Sequence, residues 1–139
     1  MTNISFKIRK ADRSDISRIQ ELIKANPKTI VPRRSHEFDD LLSTFWVAEK
    51  EAEIVGCVCL EIYSSKICEI RTLIVDSNHR HLGIGKSLME VAIVEAKGKK
   101  IPQIMVITSD PNYFEKLNFG PDLNEKFALF YQGDPKVKP

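Results

Sequence analysis

Glu69-Ile70-Arg71-Thr72-Leu73-Ile74-Val75-Asp76 runs through Ser77-Asn78-His79 into Arg80-His81-Leu82-Gly83-Ile84-Gly85-Lys86-Ser87-Leu88-Met89, and this stretch decides the fold. Its first part is rich in β-branched residues and ends in turn formers, as a strand does. In its last part and beyond, Leu88, Met89, Ala92, Ile93 and Ala96 recur at helical spacing. A strand that feeds a glycine-bearing loop and then a helix makes an anion site. The first amides of the helix lack partners, the helix dipole favours negative charge there, and glycine lets the main chain come close to a ligand.

Two phosphate-binding patterns do not fit. Gly85-Lys86-Ser87 supplies the end of a P-loop, but Arg80 stands where its first glycine belongs. The dinucleotide fingerprint asks for a third glycine where Leu88 stands. Arg80-x-x-Gly83-x-Gly85 after a hydrophobic strand instead resembles the acetyl-CoA loop of the GNAT N-acetyltransferases. The resemblance implies acetyl-CoA as cosubstrate. It places Arg80, His81, Leu82, Gly83, Ile84, Gly85, Lys86 and Ser87 around the pyrophosphate, and the edges of Leu73, Ile74 and Val75 beside the pantetheine amides, as a neighbouring strand would lie. Lys99 and Lys100 are further candidates for phosphate contact, with a solvated helix end as their alternative.

The rest of the composition fits one small enzyme domain. A chain of 139 residues should bury roughly two-thirds of its unfolded surface. A formal charge of +2 makes no electrostatic case for nucleic acid as a partner. There is no apolar run of membrane-spanning length and no apolar core of a signal peptide, so no membrane association is expected. Cys57, Cys59 and Cys68 are odd in number and form no CxxC pair, which suits a reducing, cytoplasmic compartment. Cys57 and Cys59 share one strand face and read as small buried hydrophobes. His36, His79 and His81 have no metal-ligand spacing, and no metal is expected.

In chain order, residues 4–8 alternate as a half-buried strand, and Asp12 is placed to cap a helix over about 13–25 with Ile16, Ile19, Leu22 and Ile23 inward. Pro32-Arg33-Arg34-Ser35 leads into a short helix with Phe38, Leu41 and Leu42 inward. Strands follow at 45–50, 54–63 and 67–75, with a turn at 64–66. The helix after the loop should end at Gly98 as its C′ residue. A strand over 103–108, a brief helix over 111–117 opened by Pro111, and a last strand over 126–131 complete the chain, with 132–139 a short polar tail. This order gives an α/β sandwich over residues 1–139, a mixed and mostly antiparallel sheet flanked by helices, and it is the element order of the GNAT fold.

Within the family the chain is most similar to the acetyltransferase domain of N-acetylglutamate synthases. The likeness lies in Pro32-Arg33-Arg34-Ser35, Phe45-Trp46-Val47-Ala48-Glu49, Ile54-Val55-Gly56-Cys57, Glu69-Ile70-Arg71-Thr72 and the run from Thr108 to Phe119. It implies a small-molecule amine as acceptor, the α-amino group of a free, glutamate-like amino acid. The chain lacks an amino-acid kinase domain and the usual closing motifs. An acetyl-CoA-binding regulatory module and a protein or peptide acetyltransferase therefore stay as alternatives, and the oligomeric state, a homodimer included, stays open. Glu69 is the candidate base or water-orienter, with substrate binding or an ion pair to Arg71 as its competing roles. Arg33, Arg34 and Arg71 are candidates for a substrate carboxylate, which a guanidinium matches in bidentate fashion. Where many relatives place an acidic Tyr, this chain has Phe114, expected to pack near the cofactor, and Tyr113 beside it is a weaker acid candidate.

Overall fold

The computed structural model describes residues 5–121, 129 and 131–133. Residues up to Ile107 form one compact unit, and those from Thr108 onward form a second. The first unit holds a five-stranded sheet whose spatial order follows the chain. β1 (Lys7–Lys10), β2 (Phe45–Lys50), β3 (Glu53–Ile62) and β4 (Ile67–Val75) pair antiparallel, and β5 (Gln103–Met105) joins β4 in parallel. The first strand lies later than the sequence suggests, because its pairing from Lys7 opposite Glu49 to Lys10 opposite Trp46 fixes its span. The last predicted strand, 126–131, falls largely outside the described residues.

Each face of the sheet buries one helical layer. On one side α1 (Ile16–Lys24) inserts Ile19, Leu22 and Ile23, and α2 (Glu37–Leu41) inserts Phe38, against Phe45, Val47, Cys57, Cys59 and Ile74. Phe38 and Phe45 are fully buried with ring centroids 5.6 Å apart. On the other side α3 (Ile84–Gly98) buries Ile84, Leu88, Met89, Ala92 and Ala96. Each large side chain so buried contributes about 1.5–3 kcal/mol relative to exposure. Gly56 permits the close approach of α3, since a Cβ there would stand 3.2 Å from Leu88 and 3.3 Å from Ile84.

α3 ends differently from the expectation at Gly98. The helix runs through that glycine, and the left-handed residue is Lys100, at φ 58°. The amide of Lys100 bonds the Lys97 carbonyl at 3.0 Å, and that of Ile101 bonds Ala96 at 3.1 Å. This is the Schellman pattern, and Ile101 is the apolar residue it buries. The position of that side chain, rather than the glycine, sets where the helix stops.

β4 carries the irregularity that matters most. Cys57 pairs with Ile74 and Cys59 with Arg71, so Val58 faces two residues, Thr72 and Leu73. Thr72 sits at φ 55°, a left-handed conformation that a β-branched residue rarely holds. Such a bulge re-aims the strand. β5 pairs only with Ile67–Glu69, over Gln103–Met105 instead of the predicted 103–108. Beyond Glu69, no strand lies on that edge of β4 among the described residues.

The second unit holds α4 (Pro111–Glu115), shorter than the predicted 111–117. The carboxylate of Asp110 caps it, accepting from the Tyr113 amide at 3.4 Å.

Candidate active site

The loop between β4 and α3 gathers the residues that the sequence marks for phosphate. The Asp76 amide bonds the Val55 carbonyl at 2.8 Å, and a 3-10 turn over Ser77–His79 follows. His79 Nδ1 lies 3.0 Å from Asp76 Oδ2, which pins that turn. Arg80 Nε donates to the Val75 carbonyl at 3.4 Å, so its guanidinium stays at the end of β4. His81 at φ 66° and Gly83 at φ 83° then aim the chain into α3.

Among the described residues, no side chain caps this helix. Its first internal bond runs from the Ser87 amide to the Gly83 carbonyl at 3.1 Å. The amides of Ile84, Gly85 and Lys86 therefore have no acceptor among the described residues, although unpaired helix-start amides are usually satisfied. Those donors, Gly83 without a Cβ, and the exposed Lys86 fit an anionic diphosphate. Ile74 and Ile84 point into the core, so neither side chain reaches a ligand, and the Ile74 backbone pairs with Cys57 of β3. Lys99 and Lys100 lie at the other end of this 15-residue helix, about 22 Å away, which removes them from the phosphate site.

A second constellation occupies the sheet face that carries Cys57 and Cys59, next to the bulge. Arg33 is buried, its side chain only 3% exposed. Its Nε donates to Thr72 Oγ1 at 2.9 Å, and Gln20 Nε2 holds its carbonyl at 3.1 Å. Its Nη2 is buried without a hydrogen-bond acceptor among the described residues. Arg71 Nη1 donates to Glu61 Oε2 at 2.9 Å, and Arg71 Nε stands 3.9 Å from Glu69 Oε2. Glu69 is buried and accepts from the Tyr63 hydroxyl at 2.5 Å. Loss of solvent, reinforced by the Glu69 carboxylate, pushes the Tyr63 hydroxyl up to about 12, so it stays a proton donor at neutral pH.

Three predicted residues, Arg33, Arg71 and Glu69, are thus brought together, and the ion pair of Glu69 with Arg71, one of the competing roles weighed for that glutamate, is present. Arg34 is not among them: it is exposed, and its amide donates to Glu37 Oε2 at 2.5 Å. Glu61, Tyr63 and Thr72 are the members that sequence reading missed. A signal existed for the first, since counting back from the turn at 64–66 sets Glu61 opposite Glu69.

In the second unit, Phe114 packs edge-on against Tyr113 at 5.0 Å and against Phe119 at 6.0 Å between ring centroids. Burial raises the Tyr113 hydroxyl above its ordinary value. Among the described residues, no group of three or more His, Cys, Asp or Glu could hold a metal ion, and no helix is long and apolar enough to cross a membrane.

The edge of β4 left unpaired beyond Glu69 among the described residues thus leads directly to the uncapped start of α3. The family profile described as Acetyltransferase (GNAT) family matches residues 14–119, and the chain belongs to that family. It is 30% identical over 111 residues to an uncharacterized N-acetyltransferase of Chlorobaculum tepidum, covering 80% of this chain and 71% of that one. It is 27% identical over 116 residues to an amino-acid acetyltransferase of Mycobacterium tuberculosis, covering 81% and 67%. The amino-acid acetyltransferase of Pseudomonas aeruginosa is 29% identical over 86% of this chain, but that match spans only 29% of its length. Among solved structures, a Mycobacterium tuberculosis protein crystallised with CoA superposes with a TM-score of 0.77 at 26% identity, over 81% of this chain and 70% of that one. The N-acetylglutamate synthase of Neisseria gonorrhoeae, crystallised with CoA and N-acetyl-glutamate, shares the fold with a TM-score of 0.76 at 22% identity, over 84% of this chain and 28% of that one.

Proposed function

We propose that this acetyl-CoA-dependent N-acetyltransferase acts on the α-amino group of a free amino acid, with glutamate and its uncharged isostere glutamine the first acceptors to try. The observation that carries the reading is Arg33: a buried guanidinium with one nitrogen lacking a hydrogen-bond acceptor among the described residues, beside Arg71 and two glutamates. Glu61 stands 3.7 Å from that nitrogen, an ion pair but too far for a hydrogen bond, and a ligand carboxylate would supply the missing acceptor. The relatives named amino-acid acetyltransferases lend support to the same class.

Bound acetyl-CoA supplies a thioester whose carbonyl carbon can accept an amine. The amides of Ile84, Gly85 and Lys86, with Arg80 near the end of β4, hold the diphosphate. The free edge of Leu73, Ile74 and Val75 receives the pantetheine arm. A main-chain N–H near Val75 meets the developing oxyanion, where a fixed donor lowers the barrier. Arg33 or Arg71 binds the acceptor's carboxylate. A free α-amine has a pKa near ~8, so about a tenth is neutral at pH 7 and little base strength is needed. Glu69, steadied by Tyr63, takes the proton directly or through water. A thiol of pKa near ~8.5 leaves as thiolate with little help, so the step asks little of a general acid.

The test is CoA release measured with a panel of free amino acids, polyamines and peptides, followed by Arg33→Ala on the best acceptor. The acceptor KM should rise about 10- to 100-fold, matching the ~1.5–3 kcal/mol of a hydrogen bond to a charged group, with the acetyl-CoA KM near wild type. Release with peptides alone would favour a protein acetyltransferase. Acetyl-CoA binding without turnover on any amine would favour a regulatory module.

A further inference from the structure

Glu61 stands directly opposite Glu69 across the β3–β4 pairing, where two like charges repel unless something lies between them. Arg71 does so, 2.9 Å from Glu61 and 3.9 Å from Glu69. The same oxygen of Glu61, Oε2, is also 3.7 Å from the unanswered Nη2 of Arg33. One carboxylate oxygen therefore faces both guanidinium groups of the cluster. It makes a close hydrogen bond to Arg71 and leaves Arg33 in need of an acceptor.

The formal charges of Arg33 and Arg71 cancel those of Glu61 and Glu69. An α-amino acid with an uncharged side chain is likewise neutral overall: its carboxylate suits Arg33 and its amine suits Glu69. A dicarboxylic amino acid brings one more negative charge. The remaining cation, Arg71, is already engaged by Glu61, so the second carboxylate meets a satisfied arginine and a repelling glutamate. Rejection by a like charge is an economical route to specificity.

We propose that Glu61 sets the charge of the acceptor, excluding a side-chain carboxylate so that the site takes α-amino acids with uncharged side chains in preference to their acidic isosteres. This rests on the α-amino-acid reading above and refines it. The two isosteric pairs glutamine against glutamate and asparagine against aspartate differ in charge while keeping their size, and they read the effect directly.

Initial rates of CoA release at saturating acetyl-CoA give kcat/KM for both pairs in the wild-type protein, in Glu61→Gln and in Glu61→Asp. The wild type should prefer the amide of each pair. Glu61→Gln should raise the acid-to-amide ratio by about tenfold or more, chiefly through KM, and Glu61→Asp should keep the wild-type ratio. A wild type that prefers the acids overturns the inference without any variant. So does an active Glu61→Gln whose ratio stays within about twofold of wild type. If the wild type turns over none of the four amino acids nor any other in the panel, the α-amino-acid reading itself fails and takes this inference with it.

Discussion

Two helices of this protein begin in opposite ways. The start of α1 is closed. A 3-10 turn over Arg13–Asp15 precedes it, the Asp12 carboxylate accepts from the Ser14 amide at 2.9 Å, and Asp15 reaches back to the Asp12 amide at 2.8 Å. Arg9 then holds Asp15 with two hydrogen bonds, at 2.8 and 3.0 Å. The start of α3 is open, with a left-handed glycine at its cap and three amides without an acceptor among the described residues. Side-chain caps are worth about 1 kcal/mol each, so the open start is a stability forgone. The first helix spends its N-terminus on the fold, and the other keeps its N-terminus for a ligand.

The sharpest way to break this contrast is Gly85→Glu, which places bulk and negative charge at the open start. Acetyl-CoA affinity measured by calorimetry should fall on the order of 100-fold or more while the circular dichroism of the fold persists. Unchanged binding in a folded variant would remove the diphosphate assignment.

The closed start predicts a loss of stability instead. Asp15→Ala should cost about 1.5–3 kcal/mol in denaturant unfolding, with acetyl-CoA affinity unchanged. The hydrogen bonds from Arg9 hold the Asp15 carboxyl below its ordinary value. A depressed folded pKa means the contribution is fully present above the unfolded value of ~3.9 and is lost as pH falls through the lower folded value. The gap between wild type and variant should therefore be constant above about pH 5 and shrink below pH 4. A gap that widens on acidification would contradict this assignment.

The smallest effect is expected at the far end of α3. Lys100 holds a left-handed backbone that glycine adopts without cost, so Lys100→Gly should stabilise by about 0.5–1 kcal/mol. Acetyl-CoA affinity should not move, because this end of the helix is about 22 Å from the open one. A weakened affinity would mean the two ends are coupled.

Much of this architecture was legible in the sequence, and the failures have physical causes. Phe45–Lys50 and Ile67–Val75 are strands with the predicted limits, since apolar pattern and turn residues agree there. The glycine loop announced α3 because that arrangement needs particular residues at particular spacing. Thr72 gave no such warning: a β-branched residue in a left-handed bulge contradicts its own propensity, and only Arg33 and the neighbouring pairing explain it. Glu61 was missed because a glutamate near a strand end looks like a solvated one. Its meaning depends on what the register sets opposite it. Gly98 misled for a related reason, since the helix end is set by burial of Ile101.

The three cysteines have a practical consequence. Cys57, Cys59 and Cys68 are free and buried, and burial pushes the thiols of Cys57 and Cys59 up to about 12. Since the thiolate is the reactive form, these buried thiols should react slowly with alkylating and disulfide reagents while the fold holds. A thiol-counting assay of released CoA therefore reads product against a low background. A thiol signal that grows without substrate should then report local opening of the sheet around these three residues.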